Sequence, residues 1–393
     1  MKSVYLDHGA TTPMREEVLE AMLPFLKDKF GNPSSLHSFG RESRKYIDDA
    51  REKVATAIGA HPEEIIFTSG GTEADNIAIQ GTAKRLKNKG NHIITTQIEH
   101  HAVLDTCEAM EEKGFEVTYL PVDEYAMVNP EDLKEAIKDD TILVTIMHAN
   151  NEVGTIQPIK ELVKIAKEKN VTFHTDAVQT VGNYPVNVRD LGVDMLSLSG
   201  HKFNGPKGIG ALYIKKGSKV KKIMHGGAQE RKIRPGTEHL PGIVGLGEAI
   251  ELATGEVDKK VKETTYLRDK LMNGLTRIEY TRLNGHSTER LPGNVNVSIE
   301  YVEGESLLLN LDMKGVAASS GSACTSGSLE PSHVLKAMGL DHQSAHGSLR
   351  FTIGRGNAEE DIDYVLDVIP EIVERLRSMS SVWRGQGTAN KKK

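Results

Sequence analysis

The sequence predicts an α/β fold, with a large domain built on a mostly parallel β-sheet and a smaller α+β domain toward the C-terminus. The chain has 393 residues, and single cores rarely grow past about 250 to 300 residues, so two domains are expected. From about residue 62, short β-rich runs alternate with amphipathic helical runs, as in parallel sheets that carry helices on both faces. After about residue 258 this alternation changes. We place the large domain at residues 15–258, the small domain at 1–14 and 259–378, and a flexible tail at 379–393.

The individual elements follow one another in a regular order. The first strands are EIIFTS, NHIITT and EVTYLPV, and the helical runs TEADNIAIQGTAKRLKNKG and HHAVLDTCEAMEEKG lie between them. The strands TILVTIMHA, VTFHTDA, DMLSLSGH and IGALYI follow, with a helix that starts near Pro158. A long helical region covers about 240–278. The second domain then contains NVNVSI, SLLLNLDM, VAASSG, SLRFTIG and a terminal helix from about Ala358.

Composition narrows the class of protein. The 49 Lys and Arg residues against 55 Asp and Glu give a formal net charge of −6, which does not favour nucleic acid or an anionic membrane as partner. The two cysteines, Cys107 and Cys324, form no CxxC motif, so neither a disulfide framework nor a resident metal site is predicted. No signal core and no apolar run of about 18 residues is present in the sequence. We therefore expect a cytoplasmic enzyme, with Cys107 as a buried core thiol.

Polar residues gather where the predicted parallel strands end, the edge at which such sheets bind ligands. The run FTSGGTEADN places Ser69, Gly71 and Thr72 between a strand and a helix, where free N–H groups and the helix dipole favour a phosphate. The alternative is an ordinary N-cap made by Ser69 or Thr72.

The next two strand ends carry a carboxylate and an amine. Asp176 and Gln179 follow VTFHT, and Ser199, His201 and Lys202 follow DMLSL. Burial lowers the pKa of a lysine, which is what Schiff-base chemistry requires, although a lone lysine here could simply be exposed in a loop. Together with the phosphate cradle, these residues are the groups that pyridoxal phosphate needs.

The chain contains, in this order, the motifs YLDHGATTP, FGNPSSLHSFGR, FTSGGTEADN, TTQIEHHAVLDTC, MHANNEVGTIQPI, HTDAVQTVG, SGHKFNGPKGIGALY, RPGTE and SSGSACTSGSLEPSHVL. On these motifs, from about residue 4 to 378, it closely resembles the cysteine desulfurases of the iron–sulfur cluster assembly type. The resemblance implies a fold-type I pyridoxal phosphate transferase with a mostly parallel sheet of seven strands. It also implies a homodimer whose active sites lie at the subunit interface.

The resemblance assigns roles at the cofactor. Lys202 would hold pyridoxal phosphate covalently and later act as the base at the substrate Cα. Asp176 would pair with the pyridinium nitrogen, Gln179 with the ring hydroxyl, and His100 would stack on the ring and transfer protons. The phosphate would be held by Gly71, Thr72, Ser199 and His201, with Thr237 reaching in from the partner subunit.

The resemblance also assigns the substrate groups. Asn151 and Arg350 would clamp the carboxylate of L-cysteine, and Asn151 would also contact the cofactor. Cys324 would take the substrate sulfur as a persulfide, with release of alanine. His8 and Gly9 depart from the commonest family pattern, and no chemical role is expected at either.

Cys324 lies in SSGSACTSGS, where no residue is large enough to pack a core. We expect this stretch to be a mobile arm that collects sulfur at the cofactor and delivers it to an iron–sulfur scaffold protein or another acceptor. Cys324 is also a candidate ligand of a transferred iron–sulfur cluster. A selenocysteine lyase is left open because the same chemistry serves it, whereas an aminotransferase of this fold would have no use for such a cysteine.

Overall fold

The structure is a computed structural model that describes residues 2–320, 331–380 and 383. Within these ranges the strands are β1 (Val4–Tyr5), β2 (Ile65–Thr68), β3 (His92–Thr96), β4 (Glu116–Leu120), β5 (Thr141–Thr145), β6 (Thr172–Asp176), β7 (Met195–Ser199), β8 (Gly210–Ile214), β9 (Thr281–Asn284), β10 (Asn294–Ile299), β11 (Val316–Ala317) and β12 (Ser348–Thr352). The helices are α1 (Glu16–Lys27), α2 (Ser38–Ile58), α3 (Gly71–Leu86), α4 (His101–Glu111), α5 (Pro130–Ala136), α6 (Ile159–Glu168), α7 (Val188–Leu191), α8 (Leu240–Gly255), α9 (Val257–Leu275), α10 (Gly304–Met313), α11 (His333–Ala337), α12 (His342–His346) and α13 (Glu359–Met379).

The largest sheet within the described ranges has seven strands in the order β2-β8-β7-β6-β5-β3-β4. The run β7-β6-β5-β3-β4 is parallel throughout, and β8 lies antiparallel between β2 and β7. Every residue of β5 and β7 is buried, which explains why the sequence shows them as continuous runs rather than alternating ones. The predicted mostly parallel α/β fold is confirmed.

The two faces of this sheet pack against different helices. Leu196 and Leu198 of β7 belong to a core that also contains residues of α1, α2, α6 and α8, whereas Met195 belongs to a core with α3 and α4. Because side chains alternate along a strand, Ser197 and Ser199 lie on the same face as Met195. The polar residues of β7 therefore face α3.

The C-terminal part of the chain builds a second core. Strands β12, β10 and β9 form an antiparallel sheet, and the apolar sides of α9, α10 and α13 pack on it. The chain start joins this region, since β1 pairs in parallel with β11. The predicted domain boundaries remain predictions, and the part of the predicted tail that the structure describes includes Trp383, whose ring lies against Tyr280 and Tyr301.

One edge of the seven-stranded sheet collects the strand ends that the sequence singled out. Strands β2, β3, β5, β6 and β7 point the same way, so their carboxyl ends meet at this edge. None of the helices in the described ranges is long and apolar enough to cross a membrane.

Candidate active site

The first turn of α3 is open toward the ligand edge of the sheet. Gly70 occupies the N-cap position and no side chain caps the helix; the Ser69 amide is instead hydrogen bonded to the Glu73 carboxylate at 2.5 Å. The alternative of a plain N-cap by Ser69 or Thr72 is therefore wrong. A Cβ on Gly71 would lie 2.6 Å from Val178 Cγ2, so Val178 would have to shift for any larger residue at this position.

Lys202 lies in a 3-10 turn, Gly200–Lys202, that follows directly on β7. Its Nζ donates to the Gly9 carbonyl and, at 2.9 Å, to the Ala10 carbonyl. Its backbone carbonyl accepts a hydrogen bond from Asn183 Nδ2 at 3.1 Å. Lys202 is half-buried, so it is not the exposed loop lysine of the alternative reading.

Asp176 and Gln179 lie beside this lysine. Burial raises the pKa of Asp176 to about 6, while a hydrogen bond from the Val178 amide and the positive charge of Lys202 oppose the shift. Gln179 Nε2 donates to the same Gly9 carbonyl that Lys202 uses, at 3.1 Å. The structure therefore brings the amine, the carboxylate and the amide to one point.

The carbonyl of Gly9 belongs to the candidate site and was not predicted from the sequence. Every residue has a backbone carbonyl, so an analysis of the sequence that looks for reactive side chains does not identify this group. The residue itself is constrained by space, because a Cβ on Gly9 would lie 2.9 Å from Thr352 Cγ2.

His100 is the N-cap of α4, and its Nδ1 accepts a hydrogen bond from the Ala102 amide at 3.0 Å. The neutral ring must therefore carry its proton on Nε2. Burial, followed by the charges of Lys202 and His101, lowers the pKa of His100 to about 4. The ring is neutral at physiological pH and has one N–H to offer.

Ser199 lies beside the start of α3, and His201, two residues further along the chain, lies against Thr11. Ser199 is buried, and its Oγ lies 3.6 Å from the position that a Cβ on Gly70 would take. His201 Nδ1 lies 3.1 Å from Thr11 Oγ1, and burial together with Lys202 lowers the pKa of His201 to about 4. A serine hydroxyl, a neutral imidazole and an uncapped helix start are groups that suit a phosphate.

Arg350 and Asn151 also meet. The Arg350 guanidinium donates to the Asn151 carbonyl at 3.1 Å and to Asp7 Oδ1 at 3.0 Å. Arg350 is 2% exposed, and its buried Nε has no hydrogen-bond partner within the described ranges. A cation that is buried this deeply and only partly hydrogen bonded suits an anionic ligand. Asp7 is a partner that the sequence analysis missed, because it lies 343 positions away in the chain.

Two predicted residues are not placed in this cluster. Thr237 is exposed, in a loop held to α3 through an Arg234–Glu73 ion pair of 2.9 Å. Cys324 lies in residues 321–330, which include the predicted mobile arm from its third residue on and lie outside the described residues. Cys107 is fully buried, as predicted.

The donor set fits pyridoxal phosphate. The open start of α3, the Ser199 hydroxyl and the His201 ring match a phosphate, Asp176 matches a pyridinium nitrogen, and Lys202 matches an aldehyde. All of them are described at one edge of one sheet.

The sequence profile of class-V aminotransferases matches residues 4–365. The chain belongs to this family. Within the class-V aminotransferases it groups with the cysteine desulfurases. It is 61% identical over 379 residues to a cysteine desulfurase IscS of Methanosarcina thermophila, and the aligned region covers 96% of this chain and 94% of the relative. The family is dependent on pyridoxal phosphate.

Solved structures of this class-V group have the same fold. A NifS-like protein, 42% identical, superposes with a TM-score of 0.90 over 95% of this chain and all of its own. SspA in complex with cysteine, 38% identical, gives a TM-score of 0.79 over 89% of this chain and 99% of its own. The fold-type I prediction is confirmed.

Proposed function

We propose that this protein is a pyridoxal-phosphate-dependent cysteine desulfurase that converts L-cysteine to L-alanine and transfers the sulfur to Cys324. The observation that carries the proposal is the convergence of Lys202, Asp176 and Gln179 at the end of two neighbouring parallel strands. High identity to cysteine desulfurases over nearly the whole chain supports it. A solved relative that binds cysteine supports the substrate.

Different residues would hold different parts of the cofactor. The start of α3 with Gly71 and Thr72, together with Ser199 and His201, would hold the phosphate. Asp176 would face the pyridine nitrogen and Gln179 the ring hydroxyl, with His100 and Asn151 alongside. When bound, the cofactor supplies an electron sink for the electron pair left at the substrate Cα.

Lys202 and His100 have complementary properties for proton transfer. The Gly9 and Ala10 carbonyls accept hydrogen bonds from Lys202 Nζ. They would stabilise the ammonium group that forms when this amine takes a proton from the substrate Cα. His100 is neutral, with its proton on Nε2, and can donate a hydrogen bond from that atom near pH 7. The hydrogen bond at His100 Nδ1 can stay in place while Nε2 acts, whereas Lys202 Nζ has to give up at least one of its carbonyl partners to hold the cofactor.

The sulfur step balances without an external oxidant. The bond between Cβ and sulfur of the substrate cysteine breaks while a bond forms from that sulfur to Cys324, giving a persulfide. The substrate Cβ keeps the electron pair of the broken bond and takes up a proton, so carbon is reduced as the two sulfur atoms are oxidised. Alanine then leaves. The persulfide then passes to an iron–sulfur scaffold protein or another thiol acceptor.

The proposed function is tested by incubating purified protein with pyridoxal phosphate and L-cysteine, with an assay for alanine and for sulfide in the presence of a thiol. Stoichiometric formation of the two supports a desulfurase. Formation of pyruvate or a keto acid without alanine would show a lyase or aminotransferase reaction instead. The same assay with selenocysteine as substrate measures whether the enzyme prefers the sulfur or the selenium compound.

Replacing Arg350 by lysine is expected to raise KM for cysteine about tenfold to hundredfold, because an ammonium cannot offer the planar fork that binds a carboxylate bidentately. Hydrogen bonds to charged groups contribute about 1.5 to 3 kcal/mol, which sets that range. Steady-state kinetics measures it, and Arg282→Lys, at an exposed position on β9, is the control. An unchanged KM would remove Arg350 from the carboxylate site.

We further propose that the enzyme is a homodimer in which Thr237 serves the cofactor phosphate of the partner subunit. Thr237 is exposed in the single chain, on a loop that an ion pair ties to the start of α3. An exposed threonine beside the phosphate cradle is free to contact a second copy.

Mixed dimers test this arrangement. One subunit carries Lys202→Ala and the other Thr237→Val. If Thr237 acts across the interface, both substitutions fall on one site, and the dimer keeps about half of the wild-type activity from the intact site. If it acts within its own chain, both sites are damaged and the activity falls well below half. Tagged subunits purified as heterodimers give the measurement.

A further inference from the structure

A buried polar cluster that the proposed chemistry does not use lies between α3 and the sheet. Asp75 of α3 is 1% exposed. His174 Nε2, on β6, lies 3.6 Å from Asp75 Oδ1 and 3.0 Å from Ser197 Oγ on β7, and Asp75 Oδ1 has no hydrogen-bond partner within the described ranges. His174 Nδ1 lies 2.8 Å from Thr145 Oγ1. Four side chains from four elements thus lie in one buried line, in which His174 is hydrogen bonded to Ser197 and Thr145 and the Asp75 carboxyl lies beside them.

This line lies next to Asp176. His174 and Asp176 are two positions apart on β6, so they share a face of the sheet, and Asp176 pairs directly with Ser197 across β6 and β7. Asp75 is therefore a second carboxyl beside the one that would face the pyridinium.

No lysine or arginine forms an ion pair with Asp75 in the part of the chain that the structure describes. A buried carboxylate without a cation is costly, and such a group takes up a proton instead. Burial lowers the pKa of His174 to about 3, so the imidazole is neutral and supplies no counter-charge. Burial, followed by the charges of Asp176 and Glu99, raises the pKa of Asp75 well above its ordinary value.

We propose that Asp75 is a neutral carboxylic acid and a positioning residue for Asp176. Its proton is donated to Ser197, whose hydroxyl donates in turn to His174 Nε2. His174 Nδ1 then donates to Thr145. Every group in the line is then neutral, and the negative charge of the cluster rests on Asp176. This role rests on the proposed function, because it assumes that Asp176 faces the cofactor.

The neutrality of Asp75 has a direct effect on Asp176. A negative charge on Asp75 would raise the proton affinity of Asp176 and so remove the charge that pairs with a pyridinium. The third carboxyl facing the cluster, Glu99, has a pKa raised to about 8 by burial. Burial raises the pKa of Asp176 only to about 6, with Lys202 lowering it. Of the three carboxyls, Asp176 is the one whose charged form is favoured by the neighbouring charge of Lys202.

The first test uses protein without cofactor and compares Asp75→Asn with wild type. An unfolded aspartate loses its proton near pH 3.9, whereas the native Asp75 keeps it. The stability due to that proton is present at low pH and is lost as the pH rises toward the native pKa. Between about pH 5 and pH 7 the unfolding constant of wild type should therefore rise about tenfold per pH unit relative to Asp75→Asn.

Chemical denaturation at a series of pH values measures this ratio. A ratio independent of pH would overturn the proposal, because Asp75 would then have an ordinary pKa. The proposal would also fail if Asp75→Asn were much less stable than wild type at pH 7 and the ratio of unfolding constants did not change with pH. That result would indicate an ionised Asp75 paired with a protonated His174. Independently of unfolding, the infrared difference between wild type and Asp75→Asn should contain the carbonyl stretch of a protonated carboxylic acid at pH 7, and its absence would contradict the proposal.

The second test adds pyridoxal phosphate and follows the pH midpoint of its absorbance change. Asp75→Asn keeps a neutral hydrogen-bonding group and should leave the midpoint within about half a pH unit of wild type. Asp75→Ala removes the hydrogen bond to Ser197 and should shift the midpoint by more than that, and Asp176→Asn should shift it most. A shift in Asp75→Asn as large as that in Asp176→Asn would mean that Asp75 itself supplies the charge. If wild type failed to bind pyridoxal phosphate, the proposed function would fail while the first test still stood.

Discussion

Replacing Lys202 by alanine is expected to abolish release of alanine from cysteine, with a loss of at least about 10⁴-fold. A general base alone contributes about 10²- to 10⁴-fold, and this lysine is also the proposed covalent attachment of the cofactor. The structure adds a reason for the size of the effect, because Nζ is held by the Gly9 and Ala10 carbonyls beside Gln179. Alanine release is measured under single-turnover conditions.

The matched control for this variant is Lys207→Ala, an exposed lysine five residues further along the same loop. It should keep wild-type turnover and the yellow colour of the loaded enzyme. Unimpaired alanine release by Lys202→Ala would remove Lys202 from its proposed role. An equal loss in both variants would indicate damage to the loop rather than to the chemistry.

Replacing Cys324 by serine is expected to reduce sulfur transfer to an acceptor by at least about 10³-fold, while cysteine binding is retained. A hydroxyl is a far poorer nucleophile toward sulfur than a thiolate, and it cannot form a persulfide. Transfer of ³⁵S from labelled cysteine to the protein, and then to a thiol acceptor, measures both steps. Binding of cysteine is followed separately through the absorbance of the loaded enzyme.

The control is Cys107→Ala, since Cys107 is the other cysteine of the sequence. Cys107 is fully buried, and burial raises the pKa of its thiol far above the ordinary value, so it is inert as a nucleophile. This variant should carry persulfide at the wild-type level and lose some stability through the cavity left behind. Normal labelling of Cys324→Ser would show that the sulfur is accepted elsewhere.

The sequence predicted the parts of the fold whose signals are local. The buried strands such as β5 and β7 were predictable because continuous apolar runs between helical runs have few other interpretations. Strand β9, with the sequence TRLN and a half-exposed pattern, was not predicted, because a short polar edge strand resembles a loop.

The same distinction holds for the candidate site. Lys202, Asp176 and Gln179 follow strands and were found from that position alone. Asp7 and Asp75 were not found in this way. Asp7 acts through Arg350, and Asp75 lies inside a helix whose sequence does not indicate which residues the helix faces. Pairing across several hundred positions, or between a helix and a sheet, is decided by tertiary packing and leaves no local pattern.

The position of residues 4–12 has a consequence for how the enzyme is made. This segment is synthesised before its partners: β1 pairs with Val316 and Ala317, and the carbonyls of Gly9 and Ala10 accept hydrogen bonds from Lys202. The pocket therefore cannot close around a cofactor until the chain has emerged beyond Ala317. Nascent chains that stop before this point should remain colourless, and capture of the cofactor becomes a signal that translation has passed it.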